Sequence, residues 1–203
     1  NMDRVGVPIG FLSIEMPEDE IMDRWLAQSS GVDGNKLGKF EALSVEEIVA
    51  LNDAARDIHD NSKMQIDSTG SLDISDVKRI CRKMGKGGAK VLFIDQLNQI
   101  GNRDVRGDNA TELVTANCMQ ISMLKKELNT PIFLLHQLNR DNKTRSDKDP
   151  IISDLKQSGR VEEDADVVLF VHRPCEYITD KHEKEVLKDR AVLILAKNRQ
   201  GPT

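Results

Sequence analysis

The stretch Val91-Leu92-Phe93-Ile94-Asp95 is a run of apolar residues that ends in an acid. A continuous apolar run of this length is typical of a strand that is buried on both faces, as strands of parallel sheets are. Other runs of strand length alternate with stretches of helical period along the chain, which is the pattern of βαβ units. The sequence therefore predicts an α/β fold with a mostly parallel central sheet flanked by helices. The predicted strands cover residues 10–14, 64–67, 91–94, 132–135, 167–171 and 191–195.

Start signals for helices stand between these strands. Pro17 suits a first helical position because it has no N–H to lose, and the acids that follow it suit the positive end of the helix dipole. Ser44 and Glu47 form a capping-box pattern, and Asp73 can cap the next helix. A longer helix is predicted after Asn109.

Composition limits the class of protein. The chain has 203 residues, with 29 Lys and Arg against 34 Asp and Glu, a net charge of −5, and 38% hydrophobic residues. These values predict one globular domain over residues 2–203, with Asn1 left outside it as a cloning scar or the edge of a cut fragment. No apolar run reaches the roughly 20 residues that cross a bilayer, so we expect a cytoplasmic protein with no membrane partner.

Cysteine spacing and charge say little about ligands. Cys81, Cys118 and Cys175 lie far apart and form no CxxC pair, so they suggest neither a disulfide framework nor a metal site. The acidic balance argues against a uniformly basic nucleic-acid coat, but it allows a local basic track.

Two predicted strands end in acids. Asp95 closes a Walker-B-like pattern, in which a buried strand delivers a carboxylate to its tip, where Mg²⁺ and phosphate can bind. Glu15 follows the strand of residues 10–14. If the two strands are neighbours, Glu15 converges with Asp95 and can orient water as a general base. Simpler interpretations stay open, because Asp95 also suits a turn and Glu15 also suits the start of the acid-rich helix.

A third predicted strand is followed by His136 and Gln137. A Gln amide at a strand tip can hydrogen-bond a γ-phosphate or the attacking water. A lone His near a strand end is more often a structural hydrogen-bonding residue, so we assign His136 no catalytic role. Two polar loops, residues 101–109 and 139–150, also follow central strands, although such loops are often only solvated surface.

Two further segments carry cations. In residues 153–159 (SDLKQSG), Lys156, small polar groups and main-chain N–H groups can approach a phosphodiester backbone, although an ordinary loop would look the same. Near the end of the chain, Lys197 and Arg199 stand one residue apart on an extended segment. They would point the same way, toward a solvent-exposed or intersubunit anion.

Taken in order, these segments resemble the C-terminal motor domain of the DnaB-type replicative helicases, a hexameric branch of the RecA-like ATPases. The SDL-to-DAD stretch is the most specific part, because other RecA-like ATPases do not share it. The resemblance covers nearly the whole chain. It rests on SIEMP (13–17), VLFIDQLNQI (91–100), PIFLLHQLNR (131–140), SDLKQSGRVEEDADVVLFVHR (153–173) and AKNRQGPT (196–203).

The resemblance implies a RecA-like P-loop NTPase fold that uses ATP and Mg²⁺. It implies that Glu15 is the catalytic glutamate and that Asp95 is the Walker B aspartate, which holds Mg²⁺ through water. It implies that Gln137 senses the γ-phosphate.

The resemblance also implies partners. Lys156, Gln157 and Gly159 match the loop that holds single-stranded DNA in a central channel, although many members have Arg-Glu where this chain has Lys156-Gln157. Lys197 and Arg199 match the pair that reaches the neighbouring subunit's ATP site, with Arg199 as the arginine finger. The parent protein would be a hexameric ring that works with a primase and a helicase loader.

The start of the chain departs from the family pattern. A P-loop, G-x-x-x-x-G-K-[ST], is expected one strand–helix unit before Glu15, and the 203 residues contain none. The glycine–lysine stretches at residues 34–40 and 85–90 have the wrong spacing or the wrong position. We therefore expect a fold that lacks the P-loop strand and helix. We also expect the chain alone to hydrolyse ATP poorly, because the phosphates lose their main electrostatic cradle.

Two other functions remain open at this point. The chain could be a P-loop-less remnant that binds DNA or a helicase without catalysis. A RecA-like recombination or clock-type ATPase fits less well, because of the SDL-to-DAD stretch.

Overall fold

The computed structural model describes residues 6–39, 42–105, 109–138 and 149–203, with the backbone alone for residues 156–160. They form two compact units, residues 1–104 with 123–136 and residues 105–122 with 137–203. The prediction of one domain stays a prediction. In chain order the elements are β1 (Ile9–Ser13), α1 (Glu18–Ser30), α2 (Val45–Asn61), β2 (Met64–Asp67), α3 (Ile74–Lys86), β3 (Val91–Asp95), α4 (Ala110–Leu128), β4 (Ile132–Leu134), α5 (Gly159–Asp164), β5 (Val167–His172), α6 (Lys181–Leu187) and β6 (Val192–Asn198).

The first unit contains a parallel sheet in the order β2-β1-β3-β4. The α/β prediction is confirmed, and the predicted strands of this sheet are correct to within one residue at each end. Leu12, Leu92 and Ile94 of the two central strands are fully buried. Helix α3 contacts β1 and buries one apolar side that includes Val77 and Ile80.

The helix starts follow local hydrogen bonding. Ser44 and Glu47 form the predicted capping box: Glu47 N donates to Ser44 Oγ at 3.2 Å, and Ser44 N donates to Glu47 Oε2 at 2.8 Å. Asp73 caps α3 by accepting a hydrogen bond from Ser75 N at 3.0 Å. Pro17 is the N-cap of α1 rather than its first helical residue, because its ψ of 159° is extended.

The second unit contains an antiparallel pair, β5 with β6. Val168 and Phe170 of β5 are buried and form a cluster with Leu155. The alternate residues of β5 are exposed, with Val171 at 72%. The apolar run of β5 is therefore buried on one face only. Residues 167–171 are apolar at every position, so the sequence pattern could not show that only one side is covered.

Among the helices in the described parts of the chain, none is long and apolar enough to span a membrane.

A substitution at Gly10 tests the packing beneath β1. A Cβ there would lie 2.6 Å from Leu92 Cδ2 and 2.9 Å from Met84 Sδ. Both neighbours are buried, so we predict that Gly10→Ala lowers the free energy of unfolding by about 1–3 kcal/mol, as overpacking does. Urea denaturation measures the change. Gly34→Ala is the control, because its Cβ would meet Ala27 at an ordinary 3.5 Å. Equal unfolding midpoints for Gly10→Ala and the unsubstituted chain would contradict the prediction.

Candidate functional site

The pairing of β1 with β3 brings two acids to one edge of the sheet. The register places Ser13 opposite Asp95, and Ile14 N donates to the main-chain oxygen of Asp95 at 2.6 Å. The two strands are therefore neighbours, as the predicted convergence of Glu15 with Asp95 requires. In an open α/β sheet, ligands bind outside this carboxyl edge.

The two carboxylates lie in different surroundings. Asp95 is half-buried, and burial is the main reason that its pKa is raised. The negative charge of Glu15 raises the pKa of Asp95 further, while the positive charge of Arg24 acts in the opposite direction. Glu15 itself is exposed. Two neighbouring acids in unlike environments can carry different tasks, one as a ligand and the other as a base.

The sequence analysis missed two residues at this edge, Gln96 and Arg24. Gln96 follows Asp95 through a cis peptide bond, and its Nε2 donates a hydrogen bond to Glu15 Oε2. Arg24 is the one basic residue of α1, in a helix whose first turn is acidic. That contrast in charge was the available signal for Arg24, and adjacency to the Walker-B-like acid was the signal for Gln96.

The end of β4 lies beside the same turn. Leu135 N donates to the main-chain oxygen of Ile94, and Leu97 N donates to that of Leu135, both at 3.0 Å. His136 follows, and burial lowers the pKa of its ring. Gln137 is exposed and belongs to the second unit. Its place beside Glu15 and Asp95 therefore stays a prediction.

In the second unit, Lys197 and Arg199 reach the carboxyl end of α5. Lys197 Nζ donates to the main-chain oxygens of Glu162 and Glu163, the latter at 3.3 Å. Arg199 Nη2 donates to the main-chain oxygen of Glu163, and its Nη1 donates to Asp166 Oδ1, both at 2.8 Å. The two cations do point the same way, but here their partners belong to their own chain.

The candidate DNA-contacting residues lie on helical backbone. Lys156 and Gln157 belong to a 3-10 helix, Ile152–Ser158, and Gly159 is the first residue of α5. The expectation of a loop is wrong here. Two features favour the turn: Ile151 N donates to Asp154 Oδ2 at 2.9 Å, and Leu155 is buried. The side chains of residues 156–160 lie outside the described part of the chain, as do residues 106–108 and 139–148 of the two predicted polar loops.

The carboxylates at the carboxyl edge suit Mg²⁺ better than a metal ion whose ligands are all protein side chains. Across the described residues, no three His, Cys, Asp or Glu side chains form a group that could hold a metal ion. Mg²⁺ usually keeps several waters and binds one or two carboxylates together with substrate phosphates. A half-buried Asp95 beside an exposed Glu15 fits that requirement.

Known proteins match nearly the whole chain in sequence. A profile described as the DnaB-like helicase C terminal domain matches residues 1–203. The replicative DNA helicase DnaB of Haemophilus influenzae is 32% identical over 197 residues, which are 96% of this chain and 41% of that protein. The replicative DNA helicase DnaB of Geobacillus stearothermophilus is 30% identical over 195 residues, which are 96% of this chain and 42% of that protein. The chain thus spans about two fifths of the length of these relatives.

Solved structures show the same fold. A DnaB-like replicative helicase, described with its interactions with primase, has a TM-score of 0.89 at 24% identity, covering 99% of this chain and 49% of that chain. A second solved structure, described as an ATPase domain, also has a TM-score of 0.89 at 24% identity, covering 99% of this chain and 70% of that chain. The RecA-like α/β fold predicted from the sequence is confirmed.

The electrostatics of Asp95 lead to a stability prediction. Its pKa is raised in the folded chain, so the stability that its neutral form contributes is lost as the pH rises through that pKa. Above that pKa the ionised carboxylate is therefore unfavourable for folding. We predict that Asp95→Asn raises the melting temperature at pH 7, measured by calorimetry. Asp104→Asn, at an exposed acid, should leave it nearly unchanged. A lower melting temperature for Asp95→Asn would contradict this account.

Proposed function

Because the chain belongs to the family of the DnaB-like helicase C terminal domain, we propose that it is the motor of an ATP-dependent replicative DNA helicase. The observation that carries the proposal is the pairing of β1 with β3, which brings Glu15 and Asp95 together at one carboxyl edge. The intact protein would act as a hexameric ring that moves along single-stranded DNA and unwinds duplex. Primase and a helicase loader are the proposed protein partners.

ATP and Mg²⁺ are the proposed cofactors. Asp95 would hold Mg²⁺ through water, and the ion would supply positive charge to the phosphates. Glu15, exposed and fixed by Gln96, would accept a proton from the attacking water as general base. Gln137 would hydrogen-bond the γ-phosphate with its amide. A P-loop would have to cradle the phosphates in the same site.

Other residues would act at subunit and DNA contacts. Arg199 would stabilise transition-state charge in a neighbouring subunit's site, with Lys197 beside it. Because this guanidinium would come from a neighbouring subunit, hydrolysis would depend on assembly of the ring. Lys156, Gln157 and Gly159 would contact the DNA backbone.

Mixing two inactive variants tests whether Arg199 acts in trans. In the intact gene product, Glu15→Gln and Arg199→Ala should each lower DNA-stimulated ATP hydrolysis by about a hundredfold or more. In rings formed from equal amounts of the two variants, about a quarter of the sites should be active. Such a site combines the intact Glu15 of one copy with the intact Arg199 of the next copy across a head-to-tail interface. Phosphate release measures the recovery.

Arg190→Ala is the matched control for Arg199→Ala, since Arg190 is an exposed cation of the same unit. It should keep the activity of the unsubstituted protein. A mixture that stays as inactive as its two components would contradict a site shared between subunits.

A salt series tests the DNA contact. Lys156→Ala should weaken binding of a labelled oligothymidylate and lower the slope of log affinity against log salt by about 0.7, the loss of one phosphate contact. Fluorescence anisotropy at several NaCl concentrations measures both quantities. Lys181→Ala removes another cation, an exposed one in α6, and should change neither. An unchanged slope for Lys156→Ala would count against the DNA contact.

A further inference from the structure

The antiparallel pairing of β5 with β6 places Asp166 opposite Arg199. Val167 pairs with Asn198 at the end of the ladder, so Asp166 and Arg199 are the next residues on the two strands. Arg199 N donates to the main-chain oxygen of Asp166 at 2.8 Å, which continues the ladder by one step. Their side chains also meet, with 2.8 Å between Arg199 Nη1 and Asp166 Oδ1. A cross-strand pair of opposite charge with a charge-assisted hydrogen bond fixes the direction of the guanidinium.

The carboxyl end of α5 supplies a second anchor. The last carbonyls of a helix have no partner within the helix and carry partial negative charge. Glu163 presents such a carbonyl to Arg199 Nη2 at 2.8 Å, and Lys197 Nζ donates to the same carbonyl. Both cations are therefore hydrogen-bonded to the last turn of α5.

The opposite end of α5 joins the candidate DNA-contacting segment. Lys156 and Gln157 lie in the 3-10 helix Ile152–Ser158, and α5 begins at the next residue, Gly159. A helix of 6 residues is about 9 Å long at 1.5 Å per residue. A displacement of its first residue must therefore either displace its last turn as well or distort the helix, which has fewer than two turns.

The solvent exposure of the Arg199–Asp166 pair indicates whether the pair serves stability or orientation. The side chains of Arg199 and Asp166 are 52% and 46% exposed. Ion pairs at such surface positions contribute little to the stability of the fold. A guanidinium has five N–H donors, and the two side-chain contacts described use only part of that set. Arg199 can thus be held by its own chain and still present donors to an anion.

We propose that Asp166 is a positioning residue for Arg199, and that α5 couples the DNA-contacting segment to it. The proposal rests on the proposed function, in which Arg199 is the arginine finger of a neighbouring site. In this arrangement Asp166 and the Glu163 carbonyl set the direction of the finger. When single-stranded DNA binds, the backbone at Lys156 to Gly159 changes, and α5 transmits this change to the Arg199 guanidinium and alters its direction. Stimulation of ATP hydrolysis by DNA then depends on the Asp166 carboxylate.

Steady-state kinetics of the intact gene product, with and without oligothymidylate, test the coupling. Asp166→Asn should lower kcat in the presence of DNA by about fivefold, the loss expected when a charge-assisted hydrogen bond becomes a neutral one. The KM for ATP and the DNA affinity should each change by less than about twofold, because neither depends on the direction of the finger. Asp166→Glu keeps the charge and should recover much of the stimulated rate.

Glu163→Gln is the matched control. It removes one negative charge from the same segment, but Glu163 serves Arg199 and Lys197 through its main-chain oxygen, which the substitution keeps. It should retain full stimulation by DNA. Equal losses for Glu163→Gln and Asp166→Asn would assign the effect to local charge and overturn the proposal.

A double variant separates positioning from general damage. If Asp166 acts through Arg199, adding Asp166→Asn to Arg199→Ala causes no further loss of rate; a further loss overturns the proposal. If Arg199→Ala alone leaves the stimulated rate unchanged, the finger assignment in the proposed function fails. If Arg199→Ala abolishes stimulation while Asp166→Asn keeps it, the proposed function stands and the coupling through Asp166 is wrong.

Discussion

The parallel main-chain pairing of β1 with β3 is the constraint on which the candidate ATP site depends. A shift of one residue would turn the side chains of a strand to the opposite side of the sheet. Leu12, Leu92 and Ile94, all fully buried, favour the observed register because a one-residue shift would turn them to the opposite face of the sheet. The place of Glu15 and Asp95 therefore follows from the packing of the strands that precede them.

Burial near this edge opposes ionisation of Asp95, which the proposed Mg²⁺ site requires. Asp95 would be easier to accommodate as a neutral side chain, since its surroundings and Glu15 both disfavour ionisation. Proteins keep such unfavourable groups where function requires them, and the remaining core compensates. In the second unit the cations Lys197 and Arg199 meet complementary partners instead, namely the carbonyl end of α5 and the Asp166 carboxylate. Ionisation is thus electrostatically unfavourable for Asp95, whereas Lys197 and Arg199 have complementary hydrogen-bond partners.

Local signals in the sequence predicted most of the fold. The capping box at Ser44 and the strand Met64–Asp67 needed only neighbouring residues, and both are confirmed. The family followed from ordered motifs. The Asp166 contact and the exposed side of β5 were missed because they depend on which strands pair and in which register. The helical turn in the SDLKQSG segment is not predictable from local sequence, because it depends on Leu155 packing in a core formed by distant residues. The catalytic and DNA-binding roles stay predictions.

The exposed side of the β5–β6 pair has a consequence for handling the protein. Val171 and its cross-strand neighbour Leu193 are 72% and 63% exposed in the described structure, and Leu169 lies on the same side of β5. An apolar surface of this kind adheres to any other that it meets, and aggregation of concentrated samples is the ordinary result. Sulfate and phosphate buffers strengthen such adhesion, because these ions are excluded from protein surfaces. Dilute preparations in weakly salting-out buffers will therefore keep the purified chain dispersed longest.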